Sequence, residues 1–293
     1  MVAGQRLNQN PAGAGDVQRC AVLGSPIGHS RSPVLHRAAY VALGLNWQYE
    51  AYDVTVEQLP GFLAGLDSSW RGLSITMPLK QAVKSYVHET SLLADLLDSV
   101  NTVLLSWPDA EQPSPWMYGE NTDVLGMVAA VRELWVDDDH PGLRGCVLGA
   151  GATARSALAA LVELGCRQVQ VVVRRPPAAA HLHDLADRLG LQLQVQDWAA
   201  AWDGIAAADV VISTVPPGAT DTLVVQPAPA SLAGHLLLDV VYHPWPTRLA
   251  SAVQDRGGLV VGGVSMLLHQ AAAQVELMTG IRPAPIQAMR AAS

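Results

Sequence analysis

The sequence has few cysteines, a single phenylalanine and no cluster of basic residues. Three cysteines among 293 residues, Cys20, Cys146 and Cys166, are an odd and scattered set. They favour buried reduced thiols over a disulfide framework or a zinc site. The 26 acidic residues outnumber the 18 Lys and Arg, so the net charge is −8. The sequence has no run of basic residues that could bind the phosphates of a nucleic acid. We therefore expect neither a metal site nor a nucleic-acid partner.

Long apolar runs are also missing. No stretch approaches the roughly 18 consecutive apolar residues of a membrane span, and the N-terminus has no basic segment followed by an apolar core. We expect a cytoplasmic protein with no membrane partner, either a monomer or a homodimer. Residues 1–17 show neither helical nor strand periodicity and are predicted to form a mobile tail.

Strand and helix patterns alternate along the chain in two successive series. The first runs from Val17 to Tyr118, and the second runs from Leu143 to Val240. Such alternation is typical of α/β layers with largely parallel sheets, so we predict two domains. Residues 123–136 carry apolar side chains at helical spacing and predict a linking helix. A further helix over 264–279 follows the second series, and sequence order alone does not assign it to a domain.

The loop Gly24-Ser25-Pro26-Ile27-Gly28-His29-Ser30-Arg31-Ser32-Pro33 joins a predicted strand to a predicted helix. Ser32 is expected to be the helix N-cap and Pro33 the first helical residue. Because a helix N-terminus presents unpaired N–H groups, the hydroxyls of Ser30 and Ser32 could hold a carboxylate there. Simple capping of the helix is the alternative.

A glycine-rich turn follows the strand Cys146-Val147-Leu148 and precedes a predicted helix. Its residues, Gly149-Ala150-Gly151-Ala152-Thr153-Ala154, match the GxGxxA pattern of dinucleotide-binding folds. The next strand ends in Arg174-Arg175 rather than in an acidic residue, which favours a 2′-phosphate and therefore NADP. The alternatives are a plain strand-to-helix turn and a solvated basic turn.

Polar residues follow other predicted strands. Thr76 and Lys80 come just after the strand around Ile75, where open α/β sheets bind ligands. Asn101 and Asp123 lie near the edges of later strands. A partly buried Lys beside a carboxylate could move a proton to or from a carbinol oxygen while a nicotinamide moves hydride.

Seven motifs in order make the chain resemble the shikimate dehydrogenase family from Cys20 to about Gln287. The family patterns are GxPxxHSxSPxxH, GxNVTxPxK, NT, GxNTDxxG, a glycine-rich NADP turn, DxxYxPxxTxL and GxxMLxxQA. They are matched here by residues 24–36, 72–80, Asn101-Thr102, 119–126, 149–154, 239–249 and 263–271.

The resemblance implies NADPH-dependent reduction of 3-dehydroshikimate to shikimate, within chorismate and aromatic amino acid biosynthesis. It implies that Lys80 is the general acid and that Asp123 positions the substrate, with the proton coming from Lys80 or from a water held between the two. Ser30 and Ser32, with Tyr242, would hold the carboxylate, and the ring hydroxyls would be bound by Thr76, Asn101, Asp123 and Gln270. The cofactor would contact the turn 149–154, Arg174, Arg175, Thr214, Val215, Val240 and Gly263.

The implied fold is a two-domain α/β protein. Residues 18–122 and 263–293 would form the N-terminal α/β substrate domain, to which the C-terminal helices return. Residues 123–262, beginning with the linking helix, would form a Rossmann-like NADP domain.

The chain departs from the family pattern at three places. Ser74 replaces Asn, a shorter side chain that loses one contact or leaves room for water. Ala152 stands where a third glycine is usual, and Arg174-Arg175-Pro176 replaces an NRT-like triplet. His29 and His36 are better explained by packing than by catalysis. Two other functions stay open: an NAD-dependent quinate/shikimate dehydrogenase, and a sensor that has lost catalysis.

Overall fold

The chain forms two compact units in a computed structural model, which describes residues 17–107, 114–135 and 142–293. The first unit is Met1–Thr122 with Gln270–Ser293, and the second is Asp123–His269. The predicted tail lies, except for Val17, outside the described residues. No helix among the described residues is long and apolar enough to cross a membrane.

The first unit contains a mixed six-stranded sheet. Its strands, in the order β2-β1-β3-β5-β6-β4, are β1 (Gln18–Gly24), β2 (Trp47–Asp53), β3 (Trp70–Ile75), β4 (Glu89–Thr90), β5 (Thr102–Ser106) and β6 (Trp116–Glu120). β1 pairs in parallel with β2 and β3, and β4 with β6. β5 runs antiparallel to both β3 and β6, whereas the other five strands of this sheet point in one direction, so the prediction of a largely parallel sheet is confirmed with β5 as the exception. The nine residues between β5 and β6 are too few for the crossover that a parallel pair requires.

The helices of this unit include α1 (Ser32–Ala42), α2 (Leu59–Ala64), α3 (Leu79–Ala82), α4 (Leu92–Leu97) and α11 (Ile286–Ala292). α2, α3 and α4 share a core with Leu23, Leu73 and Val103 from three neighbouring strands. The predicted cap of α1 is wrong by one residue. Arg31 occupies the N-cap, Ser32 is the first helical residue, and Pro33 is the second. The Ser30 hydroxyl accepts a hydrogen bond from the Ser32 N–H at 3.4 Å, so the side chain at the helix start is that of Ser30.

The second unit contains a fully parallel sheet in the order β12-β11-β10-β7-β8-β9. Its strands are β7 (Arg144–Leu148), β8 (Gln168–Val173), β9 (Gln192–Asp197), β10 (Val210–Ser213), β11 (Leu236–Asp239) and β12 (Leu259–Gly262). Its helices are α5 (Asp123–Arg132), α6 (Ala152–Glu163), α7 (His181–Leu189), α8 (Ala201–Ala207), α9 (Arg248–Gln254) and the first part of α10 (Gly263–Thr279). The strand order reverses between β7 and β10, as in doubly wound dinucleotide-binding folds. The predicted Rossmann-like architecture is confirmed.

α5 is shorter than the sequence pattern predicts, and α10 is shared between the two units. α5 ends at Arg132, whereas the pattern predicts a linking helix to residue 136, which lies outside the described residues. The N–H groups of Leu134 and Trp135 both bond to the Val131 carbonyl, a tightened turn that is typical of a helix end. α10 is divided between the two units, since Gly263–His269 belongs to the second unit and Gln270 to the first.

The three cysteines are free and buried. Burial raises the pKa of each thiol to about 12, as expected for reduced core residues. In the part of the chain that the structure describes, no group of three or more His, Cys, Asp or Glu side chains could hold a metal ion.

Candidate active site

The loop after β1 brings Ser30 and Ser32 to the carboxyl end of that strand. The Ser30 N–H bonds to the Ile27 carbonyl at 2.9 Å, which closes a turn just before α1. Ser32 is buried, and its carbonyl accepts a hydrogen bond from Nδ1 of His36 at 2.9 Å. His36 is itself fully buried and stacks on Tyr49, so its role is packing, as the sequence suggested.

The carboxyl end of β3 carries Thr76 and Lys80. The Thr76 N–H bonds to the carbonyl of Leu23 at 2.9 Å, and the Thr76 carbonyl accepts from Leu79, the first residue of α3. A Cβ on Gly24 would overlap Cγ2 of Thr76 and the Met77 carbonyl, so only glycine permits this close approach of the two strand ends. Lys80 is half-buried in α3.

Asn101, Thr122 and Gln270 form a buried polar cluster within the first unit, each less than a tenth exposed. Oδ1 of Asn101 accepts from the Thr122 N–H at 2.8 Å. Nδ2 of Asn101 donates to Oγ1 of Thr122 at 3.0 Å and to Oε1 of Gln270 at 3.3 Å. The Thr122 hydroxyl also donates to Oε1 of Gln270 at 3.4 Å. The structure therefore joins two sequence-predicted site residues, and it adds Thr122, which the sequence left without a role.

Asp123 follows Thr122 directly and is the first residue of α5, at the start of the second unit. Its side chain is buried. Because Thr122 is held by Asn101 through its N–H and its hydroxyl, the main chain leading into Asp123 is anchored at the cluster.

The Ser74 hydroxyl, at the position where the family pattern has Asn, is buried and both accepts and donates a hydrogen bond. Its Oγ accepts from the Tyr49 hydroxyl at 2.5 Å and donates to Oε1 of Gln274 at 2.8 Å. Sequence reasoning missed both partners, although a second buried amide one helical turn after Gln270 on the largely apolar helix α10 was a signal for Gln274.

The glycine-rich turn connects β7 to α6 in the second unit. Gly149 has φ +109°, and a Cβ there would lie 2.7 Å from Oγ1 of Thr214, so glycine is required. Gly151 is the N-cap of the twelve-residue helix α6, and a Cβ at that position would meet no atom within 4 Å. The turn therefore leaves open space against the N–H groups at the helix start, which suits a pyrophosphate.

The remaining cofactor candidates of the second unit follow the carboxyl ends of its strands. Arg174 and Arg175 are exposed after β8. Thr214 and Val215 follow β10, and the Thr214 hydroxyl donates to the Leu148 carbonyl at 2.9 Å. Val240 and Gly263 follow β11 and β12 and touch each other, because a Cβ on Gly263 would overlap the Val240 carbonyl.

Tyr242 lies in the connection between β11 and α9, in the second unit, whereas both candidate serines lie in the first. Asp239 holds the ends of this connection together. Its carboxylate accepts from the Val241 N–H at 3.2 Å and from the Thr247 hydroxyl at 2.7 Å. Burial raises the pKa of Asp239, and these hydrogen bonds partly oppose that shift.

Three family models match successive parts of the chain. A model described as the shikimate dehydrogenase substrate binding domain matches residues 22–103, and one described as the shikimate 5′-dehydrogenase C-terminal domain matches residues 263–292. Between them, a model described as NADP oxidoreductase coenzyme F420-dependent matches residues 145–243.

Known proteins resemble the chain over almost its whole length. The shikimate dehydrogenase (NADP(+)) of Synechocystis sp. is 33% identical, with 96% of this chain and 97% of that protein covered. The crystal structure of Mycobacterium tuberculosis shikimate dehydrogenase is 40% identical, with a TM-score of 0.81 and coverage of 94% and 98%.

Two similar structures carry bound molecules. Shikimate 5-dehydrogenase from Thermus thermophilus, in complex with NADP(H) and shikimate, is 33% identical with a TM-score of 0.77, covering 94% of this chain and 100% of that one. Quinate dehydrogenase from Corynebacterium glutamicum, in complex with NAD, is 29% identical with a TM-score of 0.77, covering 94% and 99%. From the identity of its relatives over nearly the full length and from its two α/β units, the chain belongs to the shikimate dehydrogenase family of NADP-dependent oxidoreductases.

Proposed function

We propose that the chain interconverts 3-dehydroshikimate and shikimate, with the substrate bound by the first unit and NADP(H) by the second. The observation that carries this proposal is the buried cluster of Asn101, Thr122 and Gln270. Uncharged amides and hydroxyls, donating and accepting at once, are suited to a polyhydroxylated ring. The cluster adjoins Lys80 along the backbone, because the Val100 N–H bonds to the Lys80 carbonyl at 2.9 Å. The reaction would serve the pathway to chorismate and the aromatic amino acids.

The carboxylate of the substrate would bind at the start of α1. The Ser30 and Ser32 hydroxyls are the donors proposed there, because the N–H groups of Ser32, Val34 and Leu35 already donate to Oγ of Ser30 or to the Arg31 carbonyl and Pro33 has none. We propose Tyr242 as a further donor and Thr76 as a partner of a ring hydroxyl. These hydrogen bonds would hold the substrate ring in a fixed orientation before the reaction begins.

We propose Lys80 as the general acid and Asp123 as the group that positions the substrate hydroxyl and shares its proton. When bound, NADPH supplies the hydride that reaches the carbonyl carbon. Lys80 then gives a proton to the oxygen, directly or through a water, so that the alkoxide becomes the hydroxyl of shikimate. In the reverse direction Lys80 accepts that proton.

The residues of the second unit fit NADP. The open turn at Gly149 and Gly151 suits the pyrophosphate, and the two exposed arginines after β8 suit a 2′-phosphate. We further propose that the cofactor contacts Ala150, Ala152, Thr153 and Ala154 in the turn, together with Thr214, Val215, Val240 and Gly263.

The direct test is Lys80→Ala, with Lys84→Ala as a matched control. Lys84 lies four residues further on, and its ion pairs with Asp95 and Asp98 are partly exposed, so its loss should matter little. We expect Lys80→Ala to lower kcat for shikimate oxidation by roughly 10²- to 10⁴-fold, while Lys84→Ala stays near wild type. Normal turnover of the Lys80→Ala protein would refute the assignment.

Quinate oxidation with NAD is the second candidate, because a quinate dehydrogenase holding NAD is among the similar structures. The arginines after β8 favour NADP instead. Steady-state kinetics with shikimate and quinate, each with NADP and NAD, distinguish the two functions. We expect the highest kcat/KM for shikimate with NADP, and a preference for quinate with NAD would establish the second function.

A further inference from the structure

Tyr49, Ser74 and Gln274 form a hydrogen-bonded chain inside the first unit. The Tyr49 hydroxyl donates to Oγ of Ser74 at 2.5 Å, and Ser74 donates onward to Oε1 of Gln274 at 2.8 Å. Nε2 of Gln274 donates to the Asn101 carbonyl at 3.1 Å and to Oγ1 of Thr102 at 2.9 Å. We name these three residues the Tyr49–Ser74–Gln274 relay.

The relay has one consistent direction of donation. Because the Tyr49 hydroxyl donates to Oγ of Ser74, the Ser74 hydroxyl can donate its own proton to Gln274. The Gln274 amide must therefore turn its oxygen, rather than its NH₂ group, toward Ser74. The NH₂ group of Gln274 then donates to the Asn101 carbonyl and to Oγ1 of Thr102. The three side chains are nearly inaccessible, with Tyr49 at 0%, Ser74 at 4% and Gln274 at 1% exposure. Removal of the Ser74 hydroxyl would take from the buried Oε1 of Gln274 the donor that it has in Ser74.

Gln274 lies one helical turn beyond Gln270 on α10, so the two side chains project from the same face of the helix. Gln274 therefore ties α10 to the start of β5 at Asn101 and Thr102. Gln270 reaches the same place through its bonds to Asn101 and Thr122, whose lengths of 3.3 and 3.4 Å are close to the limit for a hydrogen bond. A shift of α10 by a few tenths of an ångström would break them.

We propose that the Tyr49–Ser74–Gln274 relay is the positioning device that sets Gln270 and Asn101 for binding the substrate ring. Ser74, the residue that departs from the family pattern, is its centre, and it accepts one hydrogen bond and donates another. The relay acts on the substrate through Asn101 and Gln270. At its other end the Tyr49 hydroxyl also bonds to the Ser32 side chain, so Ser74→Ala is the variant that tests the relay by itself. This inference rests on the proposed function, in which those two side chains bind the ring hydroxyls.

The relay also accounts for serine rather than asparagine at position 74. The Tyr49 oxygen and the Gln274 oxygen stand 2.5 and 2.8 Å from Oγ and occupy the space that a longer amide would need. An Asn at this position would have to displace one of them, since interiors are close-packed. Removal of the Tyr49 hydroxyl would free part of that space.

The test compares Ser74→Ala and Tyr49→Phe, separately and together, with the control Tyr40→Phe. Tyr40 is equally buried, and its ring centroid is 6.4 Å from that of Tyr49. Each relay variant should raise KM for shikimate roughly five- to tenfold, with KM for NADP unchanged. The double variant should be no worse than the more affected single variant, because both break one chain. Tyr40→Phe should leave both KM values unchanged.

A second comparison uses the space around Ser74. Ser74→Asn should raise KM for shikimate, and Tyr49→Phe in the same protein should restore part of the loss. Additive losses in the double variants, or relay variants that lower only the thermal midpoint at unchanged KM, would overturn the proposal.

Gln270→Ala separates this inference from the proposed function. If Gln270→Ala raises KM for shikimate and the relay variants do not, the relay is wrong while the site assignment stands. If Gln270→Ala itself leaves KM unchanged, the site assignment fails, and with it the reason for a relay.

Discussion

The imidazole of His36 stacks on the phenol of Tyr49, with ring centroids 3.9 Å apart and planes 19° apart. Nδ1 of His36 donates to the Ser32 carbonyl at 2.9 Å, so one ring connects α1 at Ser32 to β2 at Tyr49. His36 is completely buried, and its burial lowers the pKa to about 4 from an ordinary value of 6.5. The stacked imidazole is therefore neutral in the folded protein at neutral pH.

His36 should make stability depend on pH. Because its pKa is lower in the folded than in the unfolded state, the unfolded chain binds the proton first as the pH falls. Its contribution is complete above pH 6.5 and is lost progressively towards pH 4, by an amount on the order of 3 kcal/mol. His36→Phe keeps an aromatic ring against Tyr49 and cannot titrate. Urea unfolding at pH 7, 6, 5 and 4 should show a shallower decline for the variant, and parallel curves would contradict the assignment.

Ser30 and Ser32 should govern affinity for the substrate carboxylate. Ser30→Ala combined with Ser32→Ala removes both hydroxyls, and we expect KM for shikimate to rise roughly tenfold or more, with KM for NADP little changed. Ser25→Ala, in the same loop, is the control and should resemble wild type. An equal rise in both KM values would mean that the substitutions disturb the fold rather than the binding site.

Arg174 and Arg175 should set the preference for NADP over NAD. Loss of a charge-assisted contact with the 2′-phosphate predicts a rise in KM for NADP of roughly 10- to 100-fold in the double alanine variant, while KM for NAD is nearly unchanged. Arg188→Ala, an exposed arginine on α7, controls for net charge. A variant that keeps its NADP preference would show that other residues recognise the phosphate.

Gly263 should tolerate no side chain. A Cβ there would overlap the carbonyl of Val240, and backbone cannot move aside as a flexible side chain does. Gly263→Ala should cost about 1–3 kcal/mol of unfolding free energy and raise KM for NADP. Gly61→Ala is the control, because a Cβ at that helical position meets no atom within 4 Å and alanine favours helix. Denaturant unfolding of both variants checks the difference, and equal stability would refute the close contact.

Local sequence patterns determined which segments are candidates for the site. The glycine-rich turn between β7 and α6 and the polar residues after β3 were evident, because spacing and turn residues report backbone conformation within about one element. The parallel sheet of the second unit, with its reversal of strand order between β7 and β10, agrees with the Rossmann-like domain that the sequence predicts.

Only the tertiary structure decided which distant residues meet. Tyr49, Ser74 and Gln274 are separated by 25 and 200 positions, and no periodicity links them. The pairing of β5 with β3 and the division of α10 between the two units likewise depend on packing rather than on propensity. The sequence by itself determined the two α/β units and the loops that present the site, because these follow from local preferences. The partners of Ser74 had to come from the tertiary structure, because a buried hydroxyl takes its partners from whatever the fold brings beside it.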